Sequence, residues 1–171
     1  EGEEKAQKTY NYDYLGTEVK STTEFEYSLD TLVMSVTYRG EDTGIKRSAT
    51  VYEGNEGEEK ALKTYNYNFE GDVIKTTTEF KYSVDALVES ATYRGEDTGI
   101  KRSETMYEGY EGEEKAVVTY NYNYAGSDVK TNTRFAYDTE DALEASTTYR
   151  TTADTTKKAI TLYDGAEGEE K

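Results

Sequence analysis

The chain has 171 residues, 34% of them hydrophobic, and a mean hydropathy of −0.96, which suits one ordinary domain or a run of small units. It contains 18 Tyr but no His, Cys, Pro or Trp, which excludes disulfides, thiolate or imidazole metal sites and the usual catalytic triads. A net charge of −16 argues against nucleic-acid and anionic-membrane partners, and no apolar run approaches the roughly 20 residues that span a bilayer.

The first residues carry no signal-peptide pattern and begin at Glu1, so targeting information is expected to lie outside this segment. Composition alone would permit disorder, but the patterning argues for strands. The first strand alternates Tyr10, Tyr12 and Tyr14 with Thr9, Asn11 and Asp13, and ends in the turn Leu15-Gly16-Thr17-Glu18. The second sets Val19, Phe25 and Tyr27 against Lys20, Thr22, Glu24 and Glu26, up to Ser28-Leu29-Asp30-Thr31. The third sets Leu32, Met34, Val36 and Tyr38 against Ser35, Thr37 and Arg39; the loop from Arg39 to Gly44 follows. The fourth carries Ile45, Ala49 and Val51 and runs into the acidic stretch Gly54 to Glu58. Thr, Val, Tyr and Phe favour pleated, half-buried surface, and no stretch shows a helical period.

This unit repeats. Glu-Gly-Glu-Glu-Lys occurs at residues 1, 56, 111 and 167, Thr-Tyr-Asn-Tyr at Thr9, Thr64 and Thr119, and Arg-Gly-Glu-Asp-Thr-Gly-Ile-Lys-Arg-Ser at Arg39 and Arg94. The units are 1–55, 56–110 and 111–166, with 167–171 opening a fourth, and the chain is expected to be a window on a longer array. One extra residue in the third unit falls in Asp138-Thr139-Glu140-Asp141-Ala142, where a loop tolerates it.

Short connections predict antiparallel hairpins, with Tyr14 facing Val19, Tyr27 facing Leu32, Tyr38 facing Ile45 and Val51 facing Ala61. Every apolar set then shares one side of the sheet. Carried across, one row reads Ala6, Tyr27, Leu32, Val51, Ala61, Tyr82, Leu87, Met106, Ala116 and Tyr137. A second reads Tyr12, Ser21, Tyr38, Ile45, Tyr67, Thr76, Tyr93, Ile100 and Tyr122. A third places Arg47 beside Tyr65 and Arg102 beside Tyr120, where a cation over a ring contributes about 0.5–1 kcal/mol at an exposed site. Cross-strand neighbours add roughly 0.2–1 kcal/mol per pair, so ladders substitute for a large apolar core. Glu89 and Glu104 replace Met34 and Ala49, and this register sets the two carboxylates opposite each other, with Arg102 diagonal.

Candidate sites have plain alternatives. Acidic loops such as Glu53 to Glu59 supply oxygen ligands for Ca²⁺ but lack the alternating Asp/Asn of a calcium loop, and solvated turns explain them equally. The Glu89 and Glu104 pair resembles a carboxylate dyad, although the other units lack it. The tyrosine rows could stack sugars, yet their recurrence on the packed side favours structure. Outward Thr22 and Thr76-Thr77-Thr78 suit ice binding or O-linked sugars as well as ordinary strand surface, and no Asn-X-Ser/Thr acceptor is present. Dense charge and 14 Gly oppose uncontrolled amyloid.

Tyr12-Asp13-Tyr14-Leu15-Gly16 and Tyr163-Asp164-Gly165 loosely resemble the YD repeats of bacterial Rhs-type shell proteins, though Asn68 and Asn123 stand where the first unit has Asp13. The phrases Tyr-Arg-Gly-Glu-Asp-Thr-Gly and Tyr-Glu-Gly-x-Glu-Gly-Glu-Glu-Lys look more like long tandem-repeat surface proteins of environmental bacteria, over all three units. That resemblance implies an extracellular or cell-surface structural role.

The reading is therefore an all-β tandem array of four antiparallel strands per unit, a meander that is curled or packed on another copy; a β-solenoid or propeller-like blades are the alternatives. The expected function is a non-catalytic structural segment of an extracellular filament, sheath or cell-surface fibre. Its ladder tyrosines are Tyr12, Tyr27, Tyr38, Tyr67, Tyr82, Tyr93, Tyr122 and Tyr137. The expected partners are further repeats or copies of the same chain, with no nucleic acid, no membrane insertion, no cofactor, and no motif for glycan or Ca²⁺. The alternative is an adhesin stalk or carbohydrate-binding module that uses the aromatic rows. An enzyme fits poorly because equivalent residues are spread evenly over three units.

Overall fold

The structure is a computed structural model that describes residues 4–41, 44–96 and 98–165. The opening of the fourth unit at 167–171, the first residues of Glu1–Lys5, and Asp42, Thr43 and Asp97 of the Arg-Gly-Glu-Asp-Thr-Gly loops lie outside the described residues.

Twelve strands and no helix occur among the described residues. They are β1 (Lys8–Tyr12), β2 (Val19–Ser28), β3 (Thr31–Arg39), β4 (Lys46–Glu53), β5 (Lys60–Tyr67) and β6 (Ile74–Ser83). The rest are β7 (Ala86–Arg94), β8 (Lys101–Glu108), β9 (Lys115–Tyr122), β10 (Val129–Tyr137), β11 (Leu143–Arg150) and β12 (Lys157–Leu162). The chain forms two compact units, Glu1–Glu79 with Arg94–Thr98, and Phe80–Tyr93 with Gly99–Lys171. In each, successive strands pair antiparallel in chain order, so the sheet is an open meander. Stacked parallel coils are not present among these pairings, and the solenoid alternative is set aside. The loops expected at 15–18, 28–31, 39–44, 54–58 and 138–142 all fall at or between strand ends.

The register differs from strict alternation for one recurring reason. Each of the ten described pairings slips by one residue, and the residue at the slip on the earlier strand is always Tyr: Tyr12, Tyr27, Tyr38, Tyr52, Tyr67, Tyr93, Tyr107, Tyr122, Tyr137 and Tyr149. The later strand carries the extra residue, and that residue is charged in most hairpins, as with Lys20, Arg47, Lys75, Arg102, Lys130 and Lys158. A bulge leaves one residue unpaired and strengthens local twist, so a lysine or arginine there reaches water while its neighbours keep pairing.

Each slip resets the frame of alternation. Tyr27 does face Leu32, as expected, but Val19 meets Tyr12 rather than Tyr14, Tyr38 meets Lys46 rather than Ile45, and Ala61 meets Tyr52 rather than Val51. Phe25 then lies opposite Ser35 while Glu24 faces Val36 and Glu26 faces Met34, so apolar and charged residues share faces. The expected one-sided apolar surface is corrected accordingly. Buried positions are small or polar: Ala49, Ala86, Ala91, Val118 and Ala142 with Ser21, Thr22, Thr77 and Asn132. The largest fully buried side chains are Asn132, Thr22 and Thr77, so polar pairing inside the sheet carries weight that a greasy core carries elsewhere.

Two hairpins turn through non-glycine residues in the left-handed region: Leu29 and Asp30 at φ 48° and 72°, and Val84 and Asp85 at φ 48° and 70°. A two-residue loop with both centres left-handed favours Asn-Gly, and a branched valine there is strained. Replacing Val84-Asp85 by Asn-Gly should therefore raise stability by about 0.5–2 kcal/mol in urea unfolding.

Candidate functional site

Three arrangements of hydrogen bonds and ion pairs recur at repeat spacing. The first closes the β1–β2, β5–β6 and β9–β10 hairpins. The backbone N–H groups of Asp13, Asn68 and Asn123 each donate over 2.8 Å, to the carbonyls of Glu18, Val73 and Asp128. Their side-chain oxygens accept in turn: Asp13 from Thr17 N–H at 2.8 Å, Asn68 from Asp72 N–H at 3.1 Å, and Asn123 from Ser127 N–H at 3.1 Å. The acceptor oxygen is the shared element, while the second side-chain atom differs: Asn68 Nδ2 donates to Asp72 at 2.7 Å and Asn123 Nδ2 to Asp128 at 2.8 Å, whereas the second oxygen of Asp13 accepts from the Thr17 hydroxyl at 3.4 Å.

Backbone donation from Thr17, then from Glu18, holds the Asp13 carboxyl below its ordinary pKa. A depressed carboxylate contributes stability that is present above its unfolded pKa and lost as pH falls through the folded value. Asp13→Asn should consequently flatten the acid limb of the melting-temperature profile while leaving neutral-pH stability almost unchanged.

The second arrangement ties each β3–β4-type loop to the strand before it. Thr22 donates to Gly40 O at 2.9 Å, Thr77 to Gly95 O at 2.8 Å, and Asn132 Nδ2 to Thr151 O at 2.7 Å. The same loop residues return a backbone bond, Gly40 N–H to Lys20 O at 2.9 Å, Gly95 N–H to Lys75 O at 2.8 Å and Thr151 N–H to Lys130 O at 3.1 Å. Gly40, Gly95 and Thr151 share a left-handed backbone, at φ 67°, 68° and 65°. The third copy thus keeps the clasp with both residue types changed. Thr22 and Thr77 are buried, so the outward placement expected for them is corrected.

The third arrangement uses the repeated Glu-Glu-Lys. One oxygen of Glu59 accepts from Leu32 N–H at 2.9 Å and the other from Gly57 N–H at 2.9 Å; Glu114 does the same with Leu87 at 2.9 Å and Gly112 at 3.0 Å. The Leu32 N–H is the main cause of the lowered Glu59 pKa. Beside these clamps, Lys5 pairs with Asp30 at 3.1 Å and Glu56 at 2.9 Å over the Tyr27 ring, and Lys115 pairs with Asp141 at 2.9 Å over Tyr137.

The ladder tyrosines Tyr12, Tyr27, Tyr38, Tyr67, Tyr82, Tyr93, Tyr122 and Tyr137 all lie at or next to strand ends. Tyr12 on the outer strand is 55% exposed, and the others are half-buried. Their direct partners differ from the expected rows: Tyr12 meets Val19, Tyr38 meets Thr22 on one side, and Tyr67 meets Ile74. Arg47 and Arg102 are exposed bulge residues, so lysines take their place over the tyrosine rings, while Arg39 lies 5.1 Å from the Phe69 centroid. Lys46 lies 5.6 Å from the Tyr67 centroid, Lys101 5.6 Å from Tyr122, and Lys63 5.9 Å from Tyr65. Burial, then nearby Glu24, raises the Tyr38 phenol; burial, then hydrogen bonding to Glu104, raises that of Tyr122.

Glu89 and Glu104 do not face each other. The bulge moves Glu104 opposite Ala91 and Glu89 opposite Met106. Each has its own cation: Lys81 holds Glu89 at 2.8 Å, and Lys101 holds Glu104, which also accepts from Tyr122 at 2.9 Å. Burial pushes the Glu104 pKa up, but Lys101 and Tyr122 outweigh it and hold the carboxyl low. Two independently neutralised carboxylates do not make a split-pKa dyad. The acidic-loop candidate stands differently: among the described residues no group of three or more Asp, Glu, His or Cys converges as a metal site would. No helix is long and apolar enough to cross a membrane.

An open concavity of about 500 Å³ is lined by Glu108, Tyr110, Glu113, Lys115, Phe135 and Tyr137. Its one described cation is occupied, since Lys115 is held by Asp141 and Tyr137. Tyr110 is 83% exposed, and the first unit has Asn55 in its place.

No protein-family model and no curated protein matches the chain. Among solved structures, it is similar to a protein of unknown function from Bacteroides fragilis NCTC 9343 at 17% identity and TM-score 0.30, covering 83% of this chain and 91% of that one. It is also similar to TcdB2-TccC3-TEV at 13% identity and TM-score 0.35, covering 91% of this chain and 10% of that one. The chain thus spans about a tenth of the second protein's length. Likenesses this distant carry no argument about function.

Proposed function

We propose that this chain is a non-catalytic structural repeat segment of an extracellular filament, sheath or cell-surface fibre. The observation that carries this reading is the clasp of the second arrangement. Thr22 with Gly40, Thr77 with Gly95 and Asn132 with Thr151 repeat one buried hydrogen bond at three equivalent places. A scaffold needs every unit equally braced, whereas a catalytic site needs one unit to differ. Units that bury surface chiefly against neighbours add stability additively along an array. The Rhs-like resemblance of the Tyr-Asp-Gly hairpins belongs to the same proposal: tyrosine closes every described hairpin at its bulge, and Asn68 and Asn123 perform the task of Asp13.

Electron microscopy of the native material tests the reading. Regular fibres or a continuous sheath are expected, and discrete particles would count against it. The competing reading, an adhesin stalk or carbohydrate-binding surface, draws on the exposed rings of Tyr12, Tyr14 and Tyr124. Saturable glycan binding that is lost on Tyr12→Ala would favour it.

A further inference from the structure

We infer that the open concavity beside the β8–β9 turn receives an arginine side chain presented by a basic partner protein. The inference goes beyond the scaffold reading and does not depend on it. Every group it uses lies between Glu108 and Asp141, within one compact unit and well inside the chain.

The local structure builds an apolar floor with an acidic mouth. β8 ends at Glu108 and β9 starts at Lys115, and the turn between them is closed by the Glu113 N–H donating to Tyr110 O at 2.9 Å. That turn sets Tyr110 and Glu113 at the mouth, while half-buried Val117 of β9 and Phe135 and Tyr137 of β10 line the floor. At about 500 Å³ the space falls within the size range of small-ligand sites.

Charge selects the occupant. Glu108, Glu113 and Asp141 stand against one cation, Lys115, which is committed to Asp141 at 2.9 Å and lies 5.5 Å from the Tyr137 centroid. Among the described residues, neither Glu108 nor Glu113 takes part in an ion pair or a side-chain hydrogen bond. The Tyr137 hydroxyl already donates to Ala116 O at 3.0 Å, so apart from the Tyr110 hydroxyl the uncommitted side chains at the mouth offer acceptors. A neutral sugar needs donors and acceptors together, whereas a cation needs acceptors alone. The net charge of −16 adds a field that draws cations toward the chain.

Among cations, arginine matches both the floor and the mouth. Its stem lies along apolar surface, and its planar guanidinium stacks on a ring while holding a carboxylate through two donors. A lysine ammonium supplies charge without the plane. The chain already pairs these groups elsewhere, with the Arg39 guanidinium 5.1 Å from the Phe69 centroid. The ring of Tyr110 belongs to this turn rather than to the repeat, since Asn55 holds the equivalent place.

The test is titration of the full chain with a blocked Gly-Arg-Gly peptide, followed by backbone amide shifts in NMR spectra. Saturable shifts are expected over 108–117 and 135–141. The lysine peptide should bind more weakly, and the citrulline peptide, which keeps the shape and loses the charge, should not bind. Glu113→Gln should weaken arginine binding roughly tenfold, and Tyr110→Asn about two- to fivefold. Both variants keep the turn, because Asn55 O and Glu58 N–H close the equivalent one at 2.9 Å. The inference is overturned by any of four results: no saturation up to about 50 mM peptide, where a millimolar site would fill; citrulline binding as well as arginine; unchanged affinity in both variants; or a neutral oligosaccharide shifting these amides when the peptide does not. Fibres in micrographs without arginine binding would remove this site and leave the scaffold reading standing, and arginine binding by discrete particles would do the reverse.

Discussion

Gly71→Ala should destabilise the chain by about 2–4 kcal/mol, and Gly126→Ala by a similar amount, whereas Gly16→Ala should cost only about 1–2 kcal/mol. All three glycines sit in equivalent turns with left-handed backbones, at φ 78°, 75° and 71°. The backbone penalty for an L-residue is therefore common to them. What differs is the space. At Gly71 and Gly126 the added methyl would run into the backbone at the start of β4 and β8, in the preceding hairpin, which cannot rotate away as a side chain would, whereas Gly16 faces open space. Urea unfolding of the three variants checks this, and equal losses at all three positions would mean that the close approach contributes nothing.

Thr77→Val should cost about 1–3 kcal/mol, with Thr77→Ser recovering most of the loss. Valine preserves shape and β propensity, so packing is almost unchanged. The loss comes from the Gly95 carbonyl, which keeps its place beside a fully buried side chain but no longer receives the 2.8 Å hydrogen bond. Serine restores the donor and gives up one methyl. If valine and serine cost the same, the methyl rather than the hydroxyl is what matters at Thr77. The same comparison at Thr22, which donates to Gly40 at 2.9 Å, provides an internal replicate.

Strand number, hairpin connectivity and loop positions were legible because they depend on local signals. Alternating Thr, Val, Tyr and Phe, glycine at turns, and an insertion confined to 138–142 each point to one conformation. Sidedness was not legible from strict alternation, because the bulges reset it. A signal was present in the doublets Lys46-Arg47, Lys101-Arg102 and Lys157-Lys158. Two consecutive cations in a strand cannot both follow a period of two, and the second member of each doublet is the bulged residue. The tyrosine just before each turn marked the same place, but its recurrence suggested continuous rows rather than closure of each hairpin. The buried clasp was missed because threonine on a strand reads as surface. Its hydroxyl is taken up by the backbone carbonyl of Gly40 or Gly95, a contact that strand patterning does not encode. The apparent Glu89 and Glu104 conflict came from the same frame error, and the salt bridges from Lys81 and Lys101 remove it.

The hairpin-only connectivity has a kinetic consequence. Every described pairing joins strands consecutive in the chain, so each step of assembly closes a loop of a few residues and costs little chain entropy. With no proline anywhere in the 171 residues, no slow prolyl isomerisation stands between successive steps. Strands can zip in the order in which they are synthesised, and a segment that opens locally can re-close from the hairpin beside it without waiting for a distant part of the chain.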